Sequence, residues 1–238
     1  MTIPLSPRLK TCAGFVCPGE RIADVGCDHG YLSIYLLKNE IASFAIASDI
    51  NEGPLQAAVS NANKYGVADR MSFHLSDGLK NVPHDFDALV CAGMGAATMI
   101  SILEAAPWLK SSQYRLILQC QIKTHLLRRY LSESGWRITE ESLLRDGRFL
   151  YTVLEAVWQP GYPKLTAGEC YFPPALLENP GTDIREHYQR VLKMLRVRVG
   201  GYGENADPRE ICALQELEQL QKNENLDFLK EDYHDHHC

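Results

Sequence analysis

The first stretch able to do chemistry is Asp24-Val25-Gly26-Cys27-Asp28-His29-Gly30. A short apolar run, 21–25, that reads as a buried strand ends in it, and a helical pattern over 30–40 follows. Glycines at such a turn let the backbone bend sharply and let a ligand approach a helix N-terminus. A dinucleotide fingerprint would read GxGxxG. Here the spacing is GxxxG, with an acid, Asp24, two residues before the first glycine. A carboxylate there suits a cationic ammonium better than a pyrophosphate, which points to S-adenosylmethionine over NAD. A second acid, Asp49, closes the next apolar strand, 44–49, and lies 25 residues after Asp24. That is near the spacing at which an acid accepts from ribose hydroxyls. A third, Asp77 in Ser76-Asp77-Gly78, follows the strand 71–75, where it could accept from an adenine amino group.

Each of these acids has a bland alternative: a plain strand-to-helix turn, a helix N-cap or an Asx-type turn. Their joint placement after three successive strands favours a ligand site, because ligands of open α/β sheets sit at the C-terminal strand ends. A fourth strand, 86–91, runs into Cys91-Ala92-Gly93-Met94-Gly95-Ala96. Small residues there leave room for a target base beside a sulfonium, although a tight turn needs glycine anyway. The Asn/Asp-Pro-Pro-Tyr motif common in amino methyltransferases of DNA is absent.

The elements that must position these residues alternate. Helices are expected over 30–40, 53–65, 97–106 and 122–134, and a fifth strand over 114–120. An antiparallel pair, 136–144 and 149–157, is expected around the turn-like Arg145-Asp146-Gly147-Arg148. Repeated strand–helix units imply a parallel sheet covered on both faces. The expected fold is therefore α/β, a class I methyltransferase Rossmann-like sheet over 1–158, followed by a C-terminal α-helical (coiled-coil hairpin) domain. Residues 159–182, rich in proline and glycine, read as a linker packed on the first domain. An amphipathic helix over 183–199 and a second beginning at Pro208 form the hairpin, 183–228, with Gly200, Gly201 and Gly203 breaking the first. Residues 229–238 read as a flexible tail.

The chain has 238 residues, is 45% hydrophobic and carries a formal charge of -6. No apolar run reaches the ~18 residues of a membrane helix, and no secretory leader is evident, so a cytoplasmic, monomeric protein is expected. Eight scattered cysteines without a CxxC pair read as free thiols. The net charge hides a polarity: residues 184–200 carry +4 and residues 201–238 carry -7. A basic helix beside an acidic segment fits a phosphate-binding face or a solvated, self-compensating surface equally well. His234, His236, His237 and Cys238 could suggest a metal, but no metal site is expected from close spacing on an acidic tail.

Asp-Val-Gly-Cys-Asp-His-Gly-Tyr-Leu (24–32), Ala-Gly-Met-Gly (92–95) and Leu-Ile-Leu-Gln (116–119) together resemble the bacterial TrmK family of tRNA (adenine-22-N1)-methyltransferases. Leu5-Ser6-Pro7-Arg8-Leu9 and the region near Arg145 fit as well, so the similarity spans residues 5–157. The chain departs from the family pattern at Ala96, commonly glycine, and at Cys120, commonly proline. The resemblance implies S-adenosylmethionine as cofactor, tRNA as partner, and cofactor contacts at Gly26, Asp28, His29, Asp49, Asp77 and Gly93. Asp24, Gly30, Gly78 and Met94 complete the candidate cofactor set. Asp28 is the candidate catalytic residue, and Arg8, Arg190, Lys193 and Arg196 are the candidate RNA contacts. His29 could instead be a packed imidazole. The rivals are a small-molecule or protein methyltransferase on the same fold, and a non-catalytic RNA-binding module.

Overall fold

The structure, a computed structural model, describes residues 3–178, 182–223, 226 and 229. It divides into two compact units, Met1–Pro163 and Lys164–Cys238.

The first unit is built on a seven-stranded sheet of β1 (Arg21–Val25), β2 (Phe44–Asp49), β3 (Met71–Leu75), β4 (Ala88–Met94), β5 (Arg115–Cys120), β6 (Trp136–Asp146) and β7 (Phe149–Trp158). The spatial order is 3-2-1-4-5-7-6. β1 to β5 pair in parallel, and β7 joins antiparallel to both β5 and β6. The central strands are buried on both faces, hence their continuous apolar runs. Helices α1 (Pro7–Gly14), α2 (Tyr31–Lys38), α3 (Glu52–Tyr65), α4 (Ala96–Glu104) and α5 (Thr124–Glu133) accompany the sheet. Two apolar clusters form the core, one including Ile34, Leu36, Leu37 and Val90, the other including Leu89, Met99, Leu116 and Leu118. An Arg128–Glu141 ion pair, with Nε 3.0 Å from Oε2, is buried between α5 and β6.

The strand order reverses between β1 and β4, so a crevice opens beyond their C-terminal ends. This is the expected class I sheet with its antiparallel terminal pair. Helix α1 was not anticipated. Ser6 caps it by accepting from the Leu9 amide, and Pro7 occupies its first turn.

The second unit contains α6 (Ala167–Tyr171), α7 (Thr182–Tyr202) and α8 (Pro208–Leu220). The Tyr188 hydroxyl donates to the Leu217 carbonyl (2.5 Å), and Arg198 meets Glu210 (2.7 Å), so α7 and α8 run antiparallel. Ile184, Tyr188, Leu192 and Leu195 form the buried stripe of α7. Two expectations need correction. Residues 159–182 do not act as one linker: the division falls after Pro163, and α6 forms within the supposed linker. Thr166 and Glu169 make a reciprocal capping box, and Glu216 of α8 accepts from the Thr166 hydroxyl and the Gly168 amide. The first long helix also runs through Gly200 and Gly201 to Tyr202, and a 3-10 turn begins only at Gly203, whose φ is +51°. The supposed tail, with its histidines, lies outside the described residues apart from Leu229.

Candidate functional site

A cavity of about 340 Å³ lies at the reversal point. Asp24 and the loop after β1 (Gly26 to His29) form one wall, the end of β4 (Ala92 to Met94) another, and Arg8 and Leu9 of α1, Tyr31 and Leu32 of α2, and Gln121 contribute the rest. The volume is within the range of small-molecule sites.

Asp24 is 4% exposed, and its Oδ2 accepts from the Ser33 hydroxyl at 2.7 Å. Burial pushes its carboxyl up to about 6; the Ser33 hydrogen bonds pull down, and the Asp49 charge adds a smaller upward push. A buried acid with one oxygen anchored still has acceptor capacity for an ammonium group. Gly26 adopts φ +74°, and a Cβ there would fall 2.3 Å from the Met94 methyl. That position needs glycine for its left-handed backbone, while the Met94 methyl, at the end of a flexible side chain, could move aside. The Gly26 and Cys27 amides are tied to the Ser48 carbonyl of β2.

Asp28 also has positive φ, +51°, which short polar side chains tolerate better than others do. Its amide donates to Asp49 Oδ2 at 3.2 Å, while the Asn51 amide donates to Asp49 Oδ1 at 2.9 Å. Asp49 is thus buried at the end of β2 and hydrogen-bonded, with lone pairs remaining for hydroxyl donors. The Asp28 side chain is exposed, with Oδ1 3.5 Å from His29 Nε2, and both residues line the cavity. Gly30, with φ +71°, begins α2 and packs close to Ala58.

The end of β4 is irregular. Its register against β5 shifts between Ala92 and Met94, leaving Gly93 at φ +83° in the bulge. The Gly93 amide donates to Oε1 of Gln119, a residue wholly removed from solvent on β5. Sequence reasoning passed over Gln119. Its signal was one amide side chain inside the apolar run Leu116-Ile117-Leu118-Gln119-Cys120, a place a polar group occupies only with partners.

Other candidates fall elsewhere. Asp77 stands beyond β3 and pairs with Lys80 (2.6 Å), and neither Asp77 nor Gly78 lines the cavity. Arg8, expected to meet RNA, lines the cavity: its Nε meets Asp146 Oδ2 at 3.2 Å, and its Nη1 lies 3.5 Å from Gln119 Oε1. The α7 stripe is largely engaged, since Arg190 pairs with Glu186 and Arg196 with Glu218 (2.9 Å). Among the described contacts only Lys193 of that stripe has no ion-pair partner. Ala96 and Cys120, the departures from the family pattern, are both buried and are not among the residues that line the cavity.

Residues 5–154 match the family model described as a methyltransferase domain. The Bacillus subtilis tRNA (adenine(22)-N(1))-methyltransferase is 36% identical over 155 residues, 65% of this chain and 65% of that protein, so the match spans just under two thirds of its length. The crystal structure of the B. subtilis m1A22 tRNA methyltransferase TrmK superposes with a TM-score of 0.77 at 29% identity, covering 96% of this chain and 98% of that one. A Streptococcus pneumoniae protein solved in complex with S-adenosyl-L-methionine superposes with a TM-score of 0.79 at 28% identity, covering 91% and 99%.

Proposed function

The chain belongs to the TrmK family of methyltransferase-domain proteins, and from that premise we propose that it methylates N1 of adenine 22 in tRNA with S-adenosylmethionine as donor. The observation that carries this reading is the cavity at the β1/β4 reversal, where a buried acid, a glycine cradle and a bulged β4 end face one another.

The residues present fit that cofactor. Asp24 supplies the acceptor for an ammonium group, and Gly26 and Gly93 let backbone come close. Asp49 is not part of the cavity lining but is held beside it by the Asp28 and Asn51 amides, and its remaining lone pairs would accept from ribose hydroxyls. When bound, the cofactor supplies an electrophilic methyl group on a sulfonium. Neutral adenine N1 carries a lone pair, so this chain need not provide a strong base. Its contribution is alignment and compensation of charge. Asp28 is exposed at the cavity, where it can accept from the adenine N6 amino group and favour the cationic methylated base. Gln119 acts as a positioning residue, fixing the Gly93 amide from behind.

A tRNA substrate is the ground on which we assign the protein to the cytoplasm. No described helix is long and apolar enough to cross a membrane. We read the enzyme as a monomer. The test is transfer of labelled methyl to two unmodified tRNA transcripts differing only at position 22. Label should enter the adenine transcript and not the guanine one; equal labelling would refute the assigned position.

A further inference from the structure

The β6–β7 hairpin carries a feature that the cofactor cavity does not use. Its register sets Asp146 opposite Phe149 and Leu144 opposite Tyr151, so these four side chains share one face. Helix α1 meets that face: Leu144 packs against the apolar cluster that contains Cys12 and Ala13, and Arg8 reaches Asp146 while lying 5.4 Å from the Tyr151 ring centroid. Outward from Tyr151 comes the Phe149 ring, with centroids 6.0 Å apart and planes tilted by 42°. Beyond it the Arg148 guanidinium stands 4.9 Å from the Phe149 ring centroid. A row of cation, two aromatics and cation thus runs from the cavity wall to the hairpin tip.

One half-exposed phenylalanine would be ordinary surface. Phe149 is 49% exposed, and it sits in line with an arginine that borders the cavity. It is topped by a second arginine with no acid paired to it among the described residues. Sequence-tolerant binding of unstacked nucleic acid uses this combination of exposed aromatic faces and cations that follow the backbone. An adenine taken out of a stacked RNA core leaves its neighbours without a stacking partner.

We infer that the hairpin tip is the docking platform for the RNA beside the target adenine, with Phe149 stacking an adjacent base and Arg148 meeting a phosphate. This rests on the reading of the chain as a tRNA methyltransferase. The RNA face then lies on the first unit, continuous with the cavity, and not on the α7 stripe, where acids already engage two of the three cations.

The test measures binding of an unmodified tRNA transcript bearing adenine 22 across several salt concentrations, for wild type, Phe149→Ala, Phe149→Trp and Arg148→Ala. S-adenosylmethionine affinity and thermal stability are measured in parallel. Loss of one stacked base should weaken tRNA binding roughly 5- to 150-fold in Phe149→Ala, and Phe149→Trp should restore it. Arg148→Ala should flatten the salt slope by about one unit. Cofactor affinity should not move in any of the three. A stable Phe149→Ala that binds tRNA like wild type overturns the platform. If that variant is unstable, an unchanged salt slope in Arg148→Ala overturns it instead, and a protein partner becomes the better occupant for the tip. Wild type that methylates the transcript while the variants bind normally removes only the platform. Wild type that neither binds nor methylates the transcript removes the functional reading with it.

Discussion

The Asp28 amide donates to the Asp49 carboxylate across 3.2 Å, tying the loop after β1 to the end of β2. One hydrogen bond thereby couples the residue assigned to the substrate with the residue assigned to the cofactor ribose. Asp49→Ala should remove both the loop anchor and the hydroxyl acceptors. Loss of charge-assisted hydrogen bonds predicts a weakening of S-adenosylmethionine binding by roughly 1.5–3 kcal/mol. Calorimetry on the folded variant checks it, and unchanged affinity would remove Asp49 from the site.

Asp28 calls for a different substitution. Its φ of +51° disfavours most side chains, whereas asparagine tolerates that conformation as aspartate does. Asp28→Asn should therefore keep the loop and its hydrogen bond to Asp49 while removing the charge. Turnover with tRNA should fall by more than cofactor affinity does. A turnover near wild type at saturating cofactor and tRNA would make Asp28 a structural residue.

Asp24 predicts a pH dependence. Its folded value of about 6 stands above the unfolded value of about 3.9. The protonated form is thus favoured on folding, so its stabilisation is fully present below about 3.9 and is lost as pH rises through about 6. The loss at pH 8 is on the order of 3 kcal/mol. Asp24→Asn should accordingly be more heat-stable than wild type at pH 8, with the gap closing towards pH 4. A cationic ammonium favours the ionised acid, so wild-type cofactor affinity should drop below pH 6, and binding at pH 6 should release protons. Calorimetry in buffers of different ionisation enthalpy measures that release; binding with no proton release would contradict an Asp24–ammonium contact.

Much of the first unit was readable because its chemistry is local. Strands β1, β2 and β5 are buried on both faces, so they appear as apolar runs, and each of the first two leads into its acid within a few residues. What stayed hidden depends on distant partners. Arg8 looked like a free surface cation because Asp146 is 138 residues away. Gln119 serves the Gly93 amide from a neighbouring strand, which local pattern does not reveal. The α6 helix was obscured by surrounding prolines and glycines, although Thr166 and Glu169 at capping-box spacing marked its start.

The α7 stripe illustrates the same limit. Its three cations are evenly spaced in sequence, yet acids of α7 and α8 engage two of them. Replacing Arg190, Lys193 and Arg196 with alanine should lower stability only slightly, since exposed pairs contribute about 0–1 kcal/mol each. The salt slope for tRNA should stay as in wild type. A slope flattened by two to three units would restore the stripe as an RNA face.

Methylation of adenine 22 is measured by incubating the protein with unmodified tRNA and methyl-labelled S-adenosylmethionine, then mapping the labelled nucleoside by digestion and mass spectrometry. Label should appear in N1-methyladenosine at position 22 alone. Label on any other nucleoside, or none in RNA while the cofactor binds, would contradict it.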